Sequence, residues 1–386
     1  MRFAFGAGGT GGHIFPAISI ALALENSLTG TQAEHLNSRA KRHDYWFIGN
    51  AKSLEQRLAR EHGFPFRPVY VAKLYRKLCF SNLYLPFVLV GSTISCICMF
   101  LRKRFDAVIC TGSYVSGPVA LAAIMTHTPL YFHESNAYPG LTTRLLARFT
   151  VRVFTAWNRS TIRIPHSCLV GVPLMPITNP PEIDMTKLGL DPDKPKLLVL
   201  GGSQGSLRIN ECISECVDDI LSMGFEIIWQ AGSLTLDQFK TKHSTTPGVY
   251  LFSFSSSIHS FYHKAEIAIT RAGAMTIAEL VYHKIPAVLI PLPTSAENHQ
   301  YYNAKSQRDN GMALLVQQNE LNKSSLLAAI KTLKEKHCAF KNSLEHQEPN
   351  TASAKIANII LTDLGAKDQN PPQSINPINP NRGITC

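Results

Sequence analysis

LLVLGGSQGS, residues 197–206, is the stretch on which the fold of this chain turns. Its four leading apolar residues read as a strand buried on both faces, and Gly201, Gly202 and Gly205 then let the backbone turn sharply and approach a ligand. Ile209, Ile213, Val217, Ile220 and Leu221 follow at three- and four-residue spacings, which predicts a helix packing one face on the sheet. The first N–H groups of such a helix lack intrahelical partners and carry positive partial charge, so the turn offers a place for a phosphate. Many α/β domains need glycine in a tight turn that binds nothing, and taken alone this one divides evenly between the two readings.

A second turn of the same kind shifts that balance. MRFAFGAGGTGGH, residues 1–13, is a short strand followed by glycines at 6, 8, 9, 11 and 12. Ile14, Ile18, Ala21 and Leu22 then recur at helical spacing, with Pro16 expected in the first turn, where its missing N–H costs nothing. Gly6, Gly8 and Gly11 fit GxGxxG, which raises a dinucleotide site. That motif expects an acidic residue at the end of the second strand. The strand predicted at Tyr45 to Ile48 ends instead in Gly49 and Asn50, with Glu34 in a polar loop before it, so the NAD reading loses its best support. His13 stands where the loop becomes helix. It either caps and packs, or serves as a general base, the task for which a side chain titrating near neutrality is suited.

Further short strands alternate with helices and empty into polar, glycine-bearing loops. Asp106 to Cys110 leads into TGSYVSGP (Thr111 to Pro118) and a helical run from Val119 to Met125, and Leu130 to His133 opens onto Glu134, Ser135 and Asn136. VGVPLMPITNPP, residues 170–181, has four prolines and one glycine and suits an interdomain linker. A second alternating set comprises 196–200, 225–230, 265–270 with RAGAMTIAEL (Arg271 to Leu280) behind it, and 287–291 before TSAENHQYYNA. The expectation is two doubly wound parallel sheets with ligands beyond the carboxyl ends of their strands. Ala352 to Leu364 reads as a last helix, and the Pro-, Asn- and Gln-rich tail 366–386 is expected to be disordered.

Composition agrees with two domains: 386 residues, 45% hydrophobic and 17% charged. A formal net charge of +11 favours an anionic partner, whether nucleic acid, a phosphate-bearing substrate or an anionic membrane surface. Nine scattered cysteines without a CxxC pair suggest neither a disulfide framework nor a zinc site, and point to a reducing compartment. With a strand and glycine turn starting at Met1, no signal-peptide core is expected. Residues 78–101 contain no charge and are long enough to cross a bilayer, between Lys73, Arg76 and Lys77 on one side and Arg102, Lys103 and Arg104 on the other. Asn82, Pro86, Gly91 and several hydroxyls interrupt them, and sheet units that must stay on one side flank them. They are therefore expected to dock on a membrane surface instead of spanning it.

The motifs GGTGGH (8–13), SYVSGP (113–118), HExN (133–136), GGSQG (201–205), RxGAxTxxE (271–279) and HQxxNA (299–304) occur in one order. In them the chain resembles the MurG family, peripheral membrane glycosyltransferases that complete the lipid-linked disaccharide precursor of bacterial peptidoglycan. The resemblance implies a GT-B fold, two Rossmann-like doubly wound domains facing a cleft. Residues 1–172 would form the acceptor and membrane domain, joined by a returning helix at 352–365, and residues 173–350 the UDP-GlcNAc domain. It implies transfer of GlcNAc from UDP-GlcNAc to the C4 hydroxyl of MurNAc in undecaprenyl-pyrophosphoryl-MurNAc-pentapeptide (lipid I), with inversion. His13 becomes the candidate base. Thr10, Gly11, Gly12 and Asn136 would close on the GlcNAc or the acceptor pyrophosphate. Ser203 and Gln204 would take the donor diphosphate, Arg271 would offset charge as UDP leaves, and Ala274, Met275 and Thr276 would line the nucleotide. Glu279 would accept from the ribose hydroxyls, and His299 and Gln300 would meet the sugar.

No metal, cofactor or nucleic acid is implied. The partners implied are UDP-GlcNAc, lipid I and the anionic cytoplasmic face of the inner membrane, with room for cell-wall synthesis proteins. The family's GNPVR is here GVPLM, so Val172 and Met175 replace an amide and an arginine expected near the donor, and AEN stands where the family more often has two acidic residues. Two other readings stay open: another GT-B enzyme making glycolipids from a UDP-sugar, and a nucleotide-binding membrane scaffold without turnover.

Overall fold

A computed structural model describes residues 1–29, 44–72, 84–157, 164–176, 180–202, 204–255 and 257–365. The expected tail disorder, Glu34, Asn82, and Lys73, Arg76 and Lys77 fall outside these residues, as does Ser203.

The first sheet contains β1 (Phe3–Gly6), β2 (Tyr45–Gly49), β3 (Phe66–Pro68), β4 (Ala107–Cys110), β5 (Leu130–Glu134), β6 (Arg152–Thr155) and β7 (Ser167–Leu169). All are parallel, in the order β3-β2-β1-β4-β5-β6-β7. Its helices are α1 (Gly11–Thr29), α2 (Leu54–Glu61), α3 (Leu85–Lys103), α4 (Ser116–Met125) and α5 (Leu141–Leu146). The second sheet runs β10-β9-β8-β11-β12-β13, also parallel: β8 (Lys196–Leu200), β9 (Glu226–Gln230), β10 (Val249–Phe252), β11 (Ala265–Thr270), β12 (Ala287–Leu289) and β13 (Ala313–Leu315). Its helices are α6 (Leu207–Ser222), α7 (Leu236–His243), α8 (Ile258–Lys264), α9 (Ala274–Tyr282), α10 (His299–Asp309), α11 (Lys323–Glu335) and α12 (His337–Glu345). The last helix, α13 (Ala352–Asp363), follows.

Side-chain alternation along each central strand supplies two cores per sheet. Phe3, Phe5 and Phe47 pack with Ile14 and Ile18 of α1 and with Ile356 and Ile360 of α13, while Ala4, Val108 and Cys110 face Phe100 of α3 and Val119 of α4. The last helix thus returns to the first domain, where Arg152 grips Asp363 through two hydrogen bonds of 2.7 and 2.8 Å. In the second domain Leu197, Val199 and Trp229 face α6 and α11, and Leu198, Leu200 and Ile228 face α8, α9 and α10.

Strand order reverses between β1 and β4, and again between β8 and β11. A crevice opens at such a reversal beyond the strand ends, because the two connecting helices leave for opposite faces. Each glycine turn sits at one of these reversals.

Two local expectations are corrected. The first helix already begins at Gly11, so Pro16 lies in its second turn and cannot donate to the carbonyl of Gly12. The helix behind β4 begins at Ser116, which brings the SGP of SYVSGP into its first turn; Ser116 Oγ donates to the Gly6 carbonyl at 2.8 Å.

Candidate active site

At the second reversal the turns behind β8 and β9 touch through bare backbone. A Cβ on Gly205 would lie 2.2 Å from the carbonyl oxygen of Ala231, and one on Gly232 would lie 2.0 Å from the nitrogen of Gly205. Both glycines have positive φ, +88° and +83°, so no other residue fits either place without strain. Buried Asn210 of α6 locks the pair: its Nδ2 donates to Ala231 O and Thr235 Oγ1 at 2.8 and 2.9 Å, and its Oδ1 accepts from Trp229 Nε1 at 2.9 Å. The Ser206 side chain does not cap α6, which leaves first-turn N–H groups open to an anion. Gln204 is exposed on this turn.

Ser206 Oγ instead accepts from Arg271 Nη2 at 2.6 Å. The same guanidinium donates to Gln318 Oε1 at 2.6 Å and to the carbonyls of Ile290 and Pro291 at 3.2 and 3.3 Å. One cation therefore braces the loops behind β8, β12 and β13. Burial lowers its pKa to about 10, which leaves it charged at neutral pH.

Helix α9 starts one loop away. Ala274 is buried in its first turn, whereas Met275 and Thr276 are partly exposed and share a face with Glu279, four and three residues further on. Tyr262 donates its hydroxyl to Glu279 Oε2 at 3.0 Å, and burial pushes the Glu279 carboxyl up to about 7. Behind β12, Glu297 and Asn298 both adopt left-handed backbone (φ +53° and +54°), a strained turn that delivers His299 and Gln300 to the start of α10. His299 Nδ1 donates to the Ala296 carbonyl at 2.6 Å, and Gln300 Oε1 accepts from Leu292 N at 2.9 Å.

At the first reversal the glycine turn covers a carboxylate. Buried Glu55 accepts from the N–H groups of Gly9 and Asn50 at 3.4 and 3.3 Å, and a Cβ on Gly8 would lie 2.7 Å from its Oε1. Thr10 is exposed, Gly11 and Gly12 are partly so, and His13 lies in the first turn of α1. Its Nδ1 is 2.7 Å from the carbonyl oxygen of Thr111, which can only accept, so that nitrogen donates, and in the neutral ring the lone pair lies on Nε2. Gly112, at φ +89°, lets the backbone pass the ring, since a Cβ there would stand 3.1 Å from it.

The domains meet at the loop behind β5. Glu134 accepts from Asn136 N and Nδ2, Gly140 N and Thr143 Oγ1, and Asn136 Oδ1 accepts from Asn303 of α10 at 3.3 Å. Trp157 donates to Ser135 O at 2.7 Å while its ring packs on the second-domain core. Burial pushes the pKa of His133 down to about 4, and its Nε2 donates to the Gly171 carbonyl at 3.0 Å.

Of the residues expected at the site, the described ones of the second domain gather at the ends of β8, β11 and β12, and Thr10 to His13 with Asn136 lie on the facing loops of the first. The Val172 carbonyl accepts from Asn350, and Met175 packs on the first-domain core. Glu55, Tyr262, Gly232 and Asn303 escaped sequence reasoning. Only Asn303 left a trace there, as the unassigned asparagine of HQxxNA.

Residues 3–155 match the glycosyltransferase family 28 N-terminal domain, and residues 196–360 match the corresponding C-terminal domain. The chain is 32% identical over 338 residues to the UDP-N-acetylglucosamine--N-acetylmuramyl-(pentapeptide) pyrophosphoryl-undecaprenol N-acetylglucosamine transferase of Carboxydothermus hydrogenoformans, covering 86% of this chain and 88% of that relative. The same enzyme of Francisella philomiragia is 32% identical over 348 residues, 85% of this chain and 88% of its own. The crystal structure of Acinetobacter baumannii MurG superposes with a TM-score of 0.72 at 26% identity, covering 94% of this chain and 99% of that one.

Proposed function

Because the chain belongs to the MurG family, we propose that its two glycine turns are the two halves of one glycosyl-transfer site. Its fold is GT-B, and it transfers GlcNAc from UDP-GlcNAc to lipid I to give lipid II. In the proposed site the donor diphosphate lies at the open start of α6 beside Gln204, with Arg271 behind it, and Glu279 accepts from the ribose hydroxyls. His299 and Gln300 meet the sugar. The C4 hydroxyl of the acceptor donates to His13 Nε2, and its oxygen attacks the anomeric carbon from the side opposite UDP. The bond from that carbon to the β-phosphate oxygen breaks, its electron pair leaves with UDP, and the proton passes to His13. In this reading the open helix N–H groups and the Arg271 cation offset the charge that develops on UDP.

The observation carrying this reading is that both glycine turns occupy strand-order reversals, with an imidazole oriented through its Nδ1 at one and a cation braced at the other. The test is transfer of label from UDP-GlcNAc to lipid I or to diacylglycerol. Product with lipid I alone is expected. Product with diacylglycerol alone would favour a glycolipid enzyme, and no acceptor-dependent UDP release would favour a scaffold.

We further propose that α3 docks the enzyme on an anionic membrane. It is the one described helix long and apolar enough to cross a bilayer, yet the strands before and after it, β3 and β4, belong to the same sheet. Ser92, Thr93, Cys96, Met99 and Phe100 face inward, while Phe87 is 76% exposed, Val90 58% and Ile94 54%. Arg102 and Arg104 are exposed at its end, and Lys103 folds over the Trp46 ring at 3.9 Å. Each cation near such a surface contributes about 1 kcal/mol. Anionic vesicles should therefore sediment the wild type and release it substantially in high salt, and Arg102→Gln with Arg104→Gln should weaken binding by about tenfold or more. Retention through high salt and carbonate extraction would contradict surface docking.

A further inference from the structure

One fully buried polar side chain joins the two domains. Asn303 has one acceptor oxygen and two donor hydrogens, and all are engaged: Oδ1 accepts from Ala137 N at 2.8 Å, and Nδ2 donates to Asn136 Oδ1 and to Ala272 O at 3.3 and 3.2 Å. The contacts to 136 and 137 reach the first domain, whereas Ala272 belongs to the second and stands beside Arg271. Asn303 follows His299 by four residues and Gln300 by three, so all three share one face of α10.

The first-domain side is rigid. Asn136 is held through both its backbone and its side-chain nitrogen by Glu134, a buried carboxylate that also grips Gly140 and Thr143. Thr142 donates to Ser113 O at 3.3 Å, in the loop whose Thr111 carbonyl holds the His13 ring. Hydrogen bonds and short loop segments thus connect the helix face carrying His299 and Gln300 with the imidazole at the other glycine turn. Around Asn303 the junction is closed by Tyr138 stacked on Tyr302, with ring centroids 5.2 Å apart, and by Arg144 paired with Glu297 at 3.4 Å.

We propose that Asn303 is a positioning residue, which clasps the first-domain loop 134–143 to α10 and so sets the spacing between a sugar held on the second domain and the base on the first. The inference rests on the glycosyl-transfer reading above. In-line displacement needs the acceptor oxygen within about 3.5 Å of the anomeric carbon, and a 1 Å misplacement costs on the order of 10² in rate. UDP alone is held by the second domain and needs no such register.

The experiment compares Asn303→Ala and Asn303→Asp with wild type in UDP affinity by calorimetry and in kcat for GlcNAc transfer. The aspartate keeps the size but turns both donors into an acceptor facing Asn136 Oδ1 and Ala272 O. Expected are UDP affinities within about twofold of wild type and kcat lower by ~10²-fold in both variants. In a cycle with Asn136→Ala, the double variant should lose less than the product of the single losses. UDP affinity falling in step with kcat would show a merely structural role, and unchanged kcat or a fully multiplicative cycle would equally overturn the clasp. Should neither variant fold, Tyr138→Ala loosens the same junction without orphaning a buried donor. Lower kcat at constant UDP affinity then supports the clasp, and unchanged kcat overturns it. Failure of the wild type on lipid I would refute the acceptor reading instead, because the variant-to-wild-type ratio can be read with whichever acceptor the wild type uses.

Discussion

The two glycine turns share one backbone design and differ in what the neighbouring strands bring to them. Behind β1 the turn covers the buried Glu55 carboxylate and ends at a histidine whose Nδ1 is held by the Thr111 carbonyl. Behind β8 it leads to a helix start braced by the Arg271 cation, with no acidic partner for that cation among its described hydrogen bonds. Strand, glycines and helix therefore create an opening, but Glu55 from behind β2 and His13 on the turn itself, against Arg271 from behind β11, decide whether it accepts a proton or an anion. A diphosphate is favoured at the second turn because charge and helix N–H groups act together there. At the first, a carboxylate beneath the glycines opposes a tightly held anion and leaves the chemistry to His13.

The sharpest way to break this comparison is His13→Ala. Loss of a positioned base should lower kcat by about 10²- to 10⁴-fold with little change in donor KM, as steady-state kinetics would record. Near-normal kcat would reduce His13 to a helix-start residue and make the two turns functionally alike.

A smaller effect is expected one helix away from the second turn. Glu279→Ala should raise the KM for UDP-GlcNAc by about tenfold and erase much of the preference for UDP over its deoxyribose analogue. Because burial raises the Glu279 carboxyl to about 7, the ionised form that accepts from hydroxyls fills only as pH rises through that value. The KM should fall between pH 6 and 8 in the wild type and lose that dependence in Glu279→Gln. In the free enzyme the same shift acts in the opposite sense. Between the ordinary carboxylate pKa of about 4.3 and 7 the folded chain holds a proton that the unfolded chain has released, so this group's contribution to stability declines with rising pH.

Most of this architecture can be read from local sequence. Strands such as Leu197 to Leu200 are short apolar runs that end in glycine, and nothing distant is needed to recognise them. Pro16 was misjudged because its cost depends on where α1 begins, and glycines at 11 and 12 conceal a helix start. Glu55, Tyr262, Gly232 and Asn303 are legible only in three dimensions. Glu55 matters through Gly8 and Gly9, 46 residues upstream of its hydrogen bond, and Asn303 through Ala137, 166 residues away. Gly232 looks like any turn glycine until Gly205 is packed against it. Tertiary contact gives these residues their meaning, whereas the glycine turns carry theirs in their own backbone.

The division of labour between the turns is tested most directly by titrating UDP into wild type, His13→Ala and Arg271→Gln. The account predicts that His13→Ala binds UDP within about twofold of wild type, while Arg271→Gln binds it ~10- to 100-fold more weakly, because a charge-assisted anchor of the donor turn is gone. Equal losses in the two variants, or a loss confined to His13→Ala, would contradict it.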